Sequence, residues 1–329
     1  MVIVADSVCT LTSMLIYKRI LFCVFASVTW TALCQAQLYS NPVVGDTDVP
    51  DPGVLYDDGT GLYYAATTSQ ARPDSFPIRS SKDLVHWSLE GYIFPAALNN
   101  RPTWAVQDFW APEIHYIQGR YYAVFAARDA TGVLCVGIAV SSGDMLGPYA
   151  DLGQPLVRNA TMGNIDPHLV VDGNAPNDVY LVWKEDGNGA TPPEQYTPIW
   201  AQLLDLANMT LVNEKHELIV NDQPWEGMLV EAPWIIQYNK TYFLFYSANG
   251  FAGPAYAIGV ARAQTILGPY QKLPAPIVHT NSVFVGPGHC AVVLSPLRDQ
   301  WVVVYHSWQA PNVGGADDNR LLMTDALVW

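Results

Sequence analysis

Asp51, Asp166 and Glu231 each open a short apolar stretch beside a proline, in DPGVLYD, DPHLVVD and EAPWIIQ. Carboxyl groups brought together can do acid–base work when one is held ionised to take a proton and another is held protonated to give one. The plainer alternative is a set of buried, hydrogen-bonded structural carboxylates. Three clustered acids repel strongly unless their surroundings are tuned, which favours the functional reading. Asp57, Asp58, Asp172 and Asp186 stand in turn sequences and read as solvated turn residues.

A repeat brings the three acids together. One pattern, an apolar strand, a polar turn and a second strand rich in Tyr, Phe and Val, begins at Asp51, Ala111, Asp166, Glu231 and Gly288. Copies spaced roughly fifty to sixty-five residues apart read as blades of a five-bladed β-propeller, an all-β fold whose first strands line a central channel. The turn Leu146-Gly147-Pro148-Tyr149 recurs as Leu267-Gly268-Pro269-Tyr270 at matching offsets, so these units are homologous. Segments such as YYAVFAA and TYFLFYSA alternate as half-buried strands do. No helix beyond one or two turns is expected. Aligned on Pro52, Pro112, Pro167 and Pro233, the repeats place Asp51, Ala111, Asp166 and Ala232 at one position, with Glu231 one residue earlier. A proline after the acid is expected to hold the chain extended and to remove one ladder donor.

At 329 residues with 50% hydrophobic and 14% charged residues, the chain has ample material for one large core. A formal net charge of -14 with no basic cluster excludes nucleic acid and anionic membrane surfaces as partners; a neutral substrate fits better. Lys18 and Arg19 precede an apolar run from Ile20 to Leu33, and Cys34-Gln35-Ala36 resembles a cleavage site. Residues 1–36 therefore read as a signal peptide and 37–329 as one secreted, monomeric propeller domain. An uncleaved anchor is the other reading of the leader. After cleavage only Cys135 and Cys290 would remain, too few for a disulfide framework. Sequons at Asn159, Asn208 and Asn239 fit a secreted glycoprotein. The fifth repeat stops at Trp329, directly after its apolar stretch from Leu321 to Val328, and reads as truncated.

With NPV at Asn41, Asp51-Pro52, WAPE at Trp110 to Glu113, IDPH at Ile165 to His168, EAP at Glu231 to Pro233 and GPGH at Gly286 to His289, the chain resembles glycoside hydrolase family 43. The resemblance spans residues 41 to 329. It implies a five-bladed propeller cutting arabinose- or xylose-containing plant cell-wall polysaccharides, with Asp51 as general base, Glu231 as general acid and Asp166 orienting the acid and raising its pKa. It also implies that His289 lies near the channel centre and contacts a structural cation, calcium or sodium, through water. A satisfied core histidine is the alternative. The resemblance brings Arg320 to the site, where it would bond a sugar hydroxyl or an acid. Otherwise Arg320 reads as a surface residue. No cofactor is required, since glycoside cleavage needs only one protonated and one ionised carboxyl. Metal-loop spacing of carboxylates is absent.

Trp110 and Phe109 are the expected sugar-stacking platform, with Trp104 behind them, against a background in which most such rings pack between blades. Arabinose is preferred over xylose because the single-domain layout carries no extra β-sandwich. Two other readings remain open. A related sucrose- or fructan-cleaving propeller would begin Asn-Asp-Pro-Asn where Val49-Pro50-Asp51-Pro52 stands, and an inactive carbohydrate-binding propeller would need none of the three acids.

Overall fold

Each of the five repeats folds into one antiparallel sheet, and together they make the expected five-bladed propeller. The computed structural model describes residues 3–4, 39–69, 73–189, 196–295, 300–315 and 318–329. The leader read in residues 1–36 lies outside these, Ile3–Val4 apart. The innermost strands of blades 1 to 5 are Gly53–Asp57, Ala105–Ile117, Asn164–Val171, Val230–Tyr238 and Phe284–Ser295. Among the described residues the only helices are three-residue 3₁₀ turns. None is long and apolar enough to cross a membrane.

Apolar faces of neighbouring blades pack against each other, which distributes the core around the ring. Phe76, Phe94, Phe109 and Phe125 fill the junction of blades 1 and 2. Leu169, Leu181 and Trp183 meet Val124, Val136 and Ile138 at the next junction. The turns at Leu146 and Leu267 are built alike: the Tyr149 hydroxyl donates to the Met145 carbonyl at 2.8 Å, and that of Tyr270 to Ile266 at 3.0 Å. The lead-in before Asp51 closes the ring. Val49 N–H donates to the Arg320 carbonyl at 2.9 Å, Arg320 N–H donates to Asp48 Oδ1 at 2.8 Å, and Asn41 bonds Thr324 in both directions. In the fifth blade Leu321–Val328 pairs with Gln300–Gln309 on one side and with Ile3–Val4 on the other. Asn208 and Asn239 are exposed, whereas the Asn159 amide donates to Glu185 at 2.7 Å.

One feature of the inner strands departs from expectation. The residues before the prolines are not extended. Asp51, Ala111, Asp166, Ala232 and His289 all adopt φ between 46° and 54°. Pairing register shifts around this position in blades 2 to 5, which marks a β-bulge. A non-glycine residue in this region costs about 1–2 kcal/mol, so something must hold it there. A side chain of the preceding blade does so. Ala111 N–H donates to Thr68 Oγ1 at 2.8 Å, Ala232 N–H to Asp166 Oδ2 at 3.0 Å, His289 N–H to Ser247 Oγ at 2.8 Å and Asp51 N–H to His306 Nδ1 at 3.1 Å. The bulge frees an amide, the neighbouring blade accepts it, and the side chain at the bulge turns toward the channel.

These contacts are buried, so they can be tested through stability. Ser247→Ala strands the His289 N–H and should lower the unfolding free energy by about 1–3 kcal/mol, while Ser247→Thr retains most of it. Urea unfolding with unchanged slope measures the difference. Equal midpoints for wild type and Ser247→Ala would show that the serine is not needed as acceptor.

Candidate active site

At one end of the channel the bulge residues open into a cavity of ≈ 370 Å³, and Asp51, Asp166, Glu231, His289, Arg320 and Trp110 all line it. The volume lies within the range of about 300–1,000 Å³ usual for small-molecule sites. The three acids do converge, and each meets different neighbours.

Asp51 sits among donors. Thr68 Oγ1 donates to its Oδ2 at 2.6 Å, and Arg320 NH1 lies 3.2 Å from Oδ1. His306 and His289 bring their Nδ1 atoms to 3.3 and 3.5 Å of the same oxygen. Burial alone would raise the Asp51 pKa. The Arg320 guanidinium, followed by His289 and His306, outweighs it and holds the carboxyl well below the usual range. Burial lowers the His306 pKa, and its Nδ1 lies 3.1 Å from the Asp51 N–H.

Asp166 has the opposite environment. Burial, together with the Glu231 carboxylate, pushes its pKa up to about 7, against the pull of His289 and Lys184. Its Oδ2 accepts the Ala232 N–H, which ties it to the strand that carries Glu231. Glu231 is gripped from two sides: Tyr256 OH donates to Oε1 at 2.8 Å, and Lys184 Nζ donates to Oε2 at 2.9 Å. Burial raises the Tyr256 pKa, and Glu231 and Asp166 raise it further, so the phenol keeps its proton. The Tyr256 ring lies directly against Gly288, where a Cβ would come within 1.9 Å of its Cε1; this close approach explains the second glycine of GPGH.

Several of these contacts were not foreseen. Lys184, Tyr256, Thr68 and His306 had no expected role. A lysine inside the apolar strand VYLVWKE was a readable signal, because fully buried lysines are found only when paired. Asp186, read as a solvated turn residue, is buried and 2.9 Å from Lys184 Nζ. Asp57, read likewise, is buried and accepts the Tyr121 hydroxyl at 2.6 Å. Phe109 does not belong to the platform. It is fully buried against Phe76, with Arg101 stacked over its ring, because the bulge directs Trp110 to the cavity and Phe109 into the blade junction. Trp104 is likewise packed, stacked on Phe125. Phe251 is the exposed aromatic of the cavity, beside the half-buried Trp110, and its ring centroid is 5.3 Å from the Arg320 guanidinium.

Two places in the channel bring possible metal ligands together. Around His289 the nearest carboxylate is Asp51, already committed to Arg320 and Thr68, and Asp166 is committed to the Ala232 N–H. This set does not fit direct ligation of calcium or sodium, which take several oxygen ligands. Deeper in the channel, ligand atoms of Glu113, His115 and His168 lie within 4.8 Å of one another. His168 Nδ1 and His115 Nε2 both face Glu113 Oε2, at 2.8 and 2.7 Å, and His168 Nε2 accepts the Ile235 N–H at 3.0 Å. The lone pairs of His168 are spent within the protein. The cluster pins blades 2, 3 and 4 together and does not fit a metal centre.

Residues 39–329 match the model of the family described as glycosyl hydrolases family 43. The β-D-galactofuranosidase xynD of Aspergillus niger is 25% identical over 310 residues, covering 88% of this chain and 82% of its own. The extracellular exo-α-(1→5)-L-arabinofuranosidase of Streptomyces chartreusis is 28% identical over 296 residues, covering 84% of each. Among solved structures, that of a thermostable family-43 glycoside hydrolase superposes with a TM-score of 0.78 at 32% identity, over 88% of this chain and 93% of that one.

The raised Asp166 pKa has a consequence for stability. Its folded value of about 7 lies above the unfolded value near 3.8, so its contribution is fully present below the unfolded pKa and is lost as pH rises toward 7 and beyond. Asp166→Asn keeps an oxygen for the Ala232 N–H and removes the titration. The variant should gain stability over wild type at pH 8 and little at pH 4 in paired urea unfolding curves. An equal gain at both pH values would refute the shift.

Proposed function

We propose a specific reaction for this chain, which belongs to glycosyl hydrolase family 43: hydrolysis of α-L-arabinofuranosyl linkages in plant cell-wall polysaccharides, with inversion at the anomeric carbon. The observation that carries it is the opposed tuning of two acids in one cavity. Asp51 is held ionised by Arg320 and His289, while burial and the neighbouring Glu231 carboxylate raise the Asp166 pKa.

In this reading Asp51 draws a proton from a water attacking the anomeric carbon, and Glu231 protonates the departing glycosidic oxygen. Asp166 touches Glu231's strand through the Ala232 N–H and disfavours the second negative charge. Asp51 and Glu231 rise from blades 1 and 4, on separate walls of the channel. Inverting enzymes need about 6.5–9.5 Å between carboxyls to admit a water, against about 5–5.5 Å for retaining ones. Trp110 and Phe251 offer ring faces to the sugar, and Arg320 can reach a hydroxyl while it holds Asp51.

The sugar assignment draws on the two relatives, whose names concern furanosides. α-L-arabinofuranose and β-D-galactofuranose share ring configuration from C1 to C4, so one floor can serve both and the space beyond C4 discriminates. The leader in residues 1–36 and the extracellular relative support an exported enzyme that meets its polymer outside the cell.

Glu231→Ala should lower cleavage of arabinan by about 10²–10⁴-fold, while aryl arabinofuranosides with acidic phenols, which depart unprotonated, lose much less. Asp51→Asn should lose both activities. If both variants respond alike to leaving-group acidity, the assignment of roles is wrong. Proton NMR of the first-formed sugar, taken before mutarotation, should show the inverted anomer. Retention, or methanol transfer with retention, would make Asp51 a nucleophile. Parallel assays on aryl xyloside and aryl galactofuranoside test the sugar.

A further inference from the structure

Lys184 is the one fully buried lysine in the cavity wall, and both of its ion-pair partners face the cavity. It lies on the second strand of blade 3, paired with Ile165 of the inner strand, and its Nζ sits 2.9 Å from Glu231 Oε2 and 2.9 Å from Asp186 Oδ1. Replacing a buried ion pair by packed apolar residues is often neutral or stabilising, so stability alone gives little reason to keep a lysine here. Its position against the carboxyl that must part with a proton gives a better one.

We infer that Lys184 and Asp186 form a charge clamp that orients Glu231 and sets the pH at which it releases its proton, a positioning role that rests on Glu231 being the general acid. The ammonium favours the carboxylate that Glu231 becomes after protonating the leaving group. It thereby strengthens the acid as the glycosidic bond breaks. Unopposed, the same charge would leave Glu231 ionised before the sugar arrives. Asp186 draws on the ammonium from the other side and moderates that pull. Lys184 cannot escape by losing its proton: burial favours the neutral amine, but Glu231 and Asp186 outweigh it and raise the pKa. The other groups facing Glu231 are Asp166 from the inner strand of blade 3, which opposes ionisation, and Tyr256, which donates to Oε1. His289, from blade 5, acts on Asp166. Lys184 also lowers the Asp166 pKa, so removing the cation moves that group upward too, in the same direction as the effect inferred for Glu231.

The two halves of the clamp predict opposite shifts. Lys184→Met removes the cation, so Glu231 should ionise at higher pH and the basic limb of kcat/KM on arabinobiose should move up by about one to three pH units. Asp186→Asn frees the cation for Glu231 alone and should move that limb down. Lys184→Arg should restore the wild-type direction. The same shifts should appear in the Glu231 carboxyl band, read as the infrared difference between each protein and its Glu231→Gln counterpart. That measurement needs no substrate and stands whatever the sugar. If Lys184→Met fails to fold, Asp186→Asn, which keeps the lysine, decides alone. An unmoved limb and band in that variant, or shifts of the same sign in both, overturns the clamp. Glu231→Gln that still cleaves arabinobiose overturns the acid assignment and the clamp with it, whereas an inactive Glu231→Gln with unmoved limbs sinks the clamp alone.

Discussion

Everything in the cavity depends on one backbone arrangement found in all five blades: a left-handed residue in or just before the inner strand, whose amide in four of them donates to a side chain of the preceding blade. Inner strands of a propeller run side by side around a narrow channel, and regular pleating would alternate their side chains between the two blade faces. The bulge breaks that alternation at one residue and turns its side chain toward the axis. Left-handed backbone in a non-glycine residue is costly, and it persists only where its surroundings over-determine it. Here the acceptor comes from another blade, so the strain is held by the closed ring and not by the strand that bears it. Local conformation and global closure are therefore coupled. Thr68 shows this most directly, since one hydroxyl accepts the Ala111 N–H and donates to Asp51.

Given that scaffold, the difference between the acids follows from what each blade junction supplies. Asp51 lies where blade 5 contributes His306, His289 and Arg320, and the last of these is fixed by the lead-in that closes the ring. Asp166 faces Glu231, and the Lys184 charge that acts on it is shared among three carboxylates. Two aspartates at equivalent positions in homologous blades thus move to opposite sides of the ordinary carboxyl range. Sequence position is the same for both; neighbours decide. A propeller is suited to such asymmetry, because each bulge residue sees its own blade, the blade before it and the axis.

Much of the fold was legible in the chain. The prolines after Asp51, Ala111, Asp166 and Ala232 gave the blade register, and Asp51, Asp166 and Glu231 converge as that register requires. His289 shares the register although Cys290 replaces the proline, and the Pro-based alignment did not place it there. The conformation before the prolines was misjudged, since a dipeptide preference for extended backbone is small against ring closure and an inter-blade hydrogen bond. Phe109 and Trp110 could not be separated by alternation, because a bulge shifts the parity of everything beyond it. Lys184 and Asp186 were readable as a buried pair only once Lys184 was recognised as lying inside an apolar strand. Tyr256 and Phe251 come from the segment after the second strand of blade 4, where no periodicity points to the axis.

The division between these two groups of residues separates reaction from specificity. The charged floor, made of Asp51, Asp166, Glu231, Lys184 and Arg320, hangs on inner strands, on the second strand of blade 3 and on the ring closure. The rim includes connecting segments: Phe251, whose carbonyl accepts the Trp308 indole N–H at 2.9 Å, and Asn188, between the second and third strands of blade 3. Such segments change length and sequence at little cost to the core. A fold can therefore keep the acid–base floor while the space around a furanose ring is remodelled, and fold alone does not name the sugar. The aromatic rim is nonetheless tied to the floor at one point. Arg320 lies between the Phe251 ring and Asp51, so the residue that keeps the base ionised also stands against the surface on which a sugar would stack.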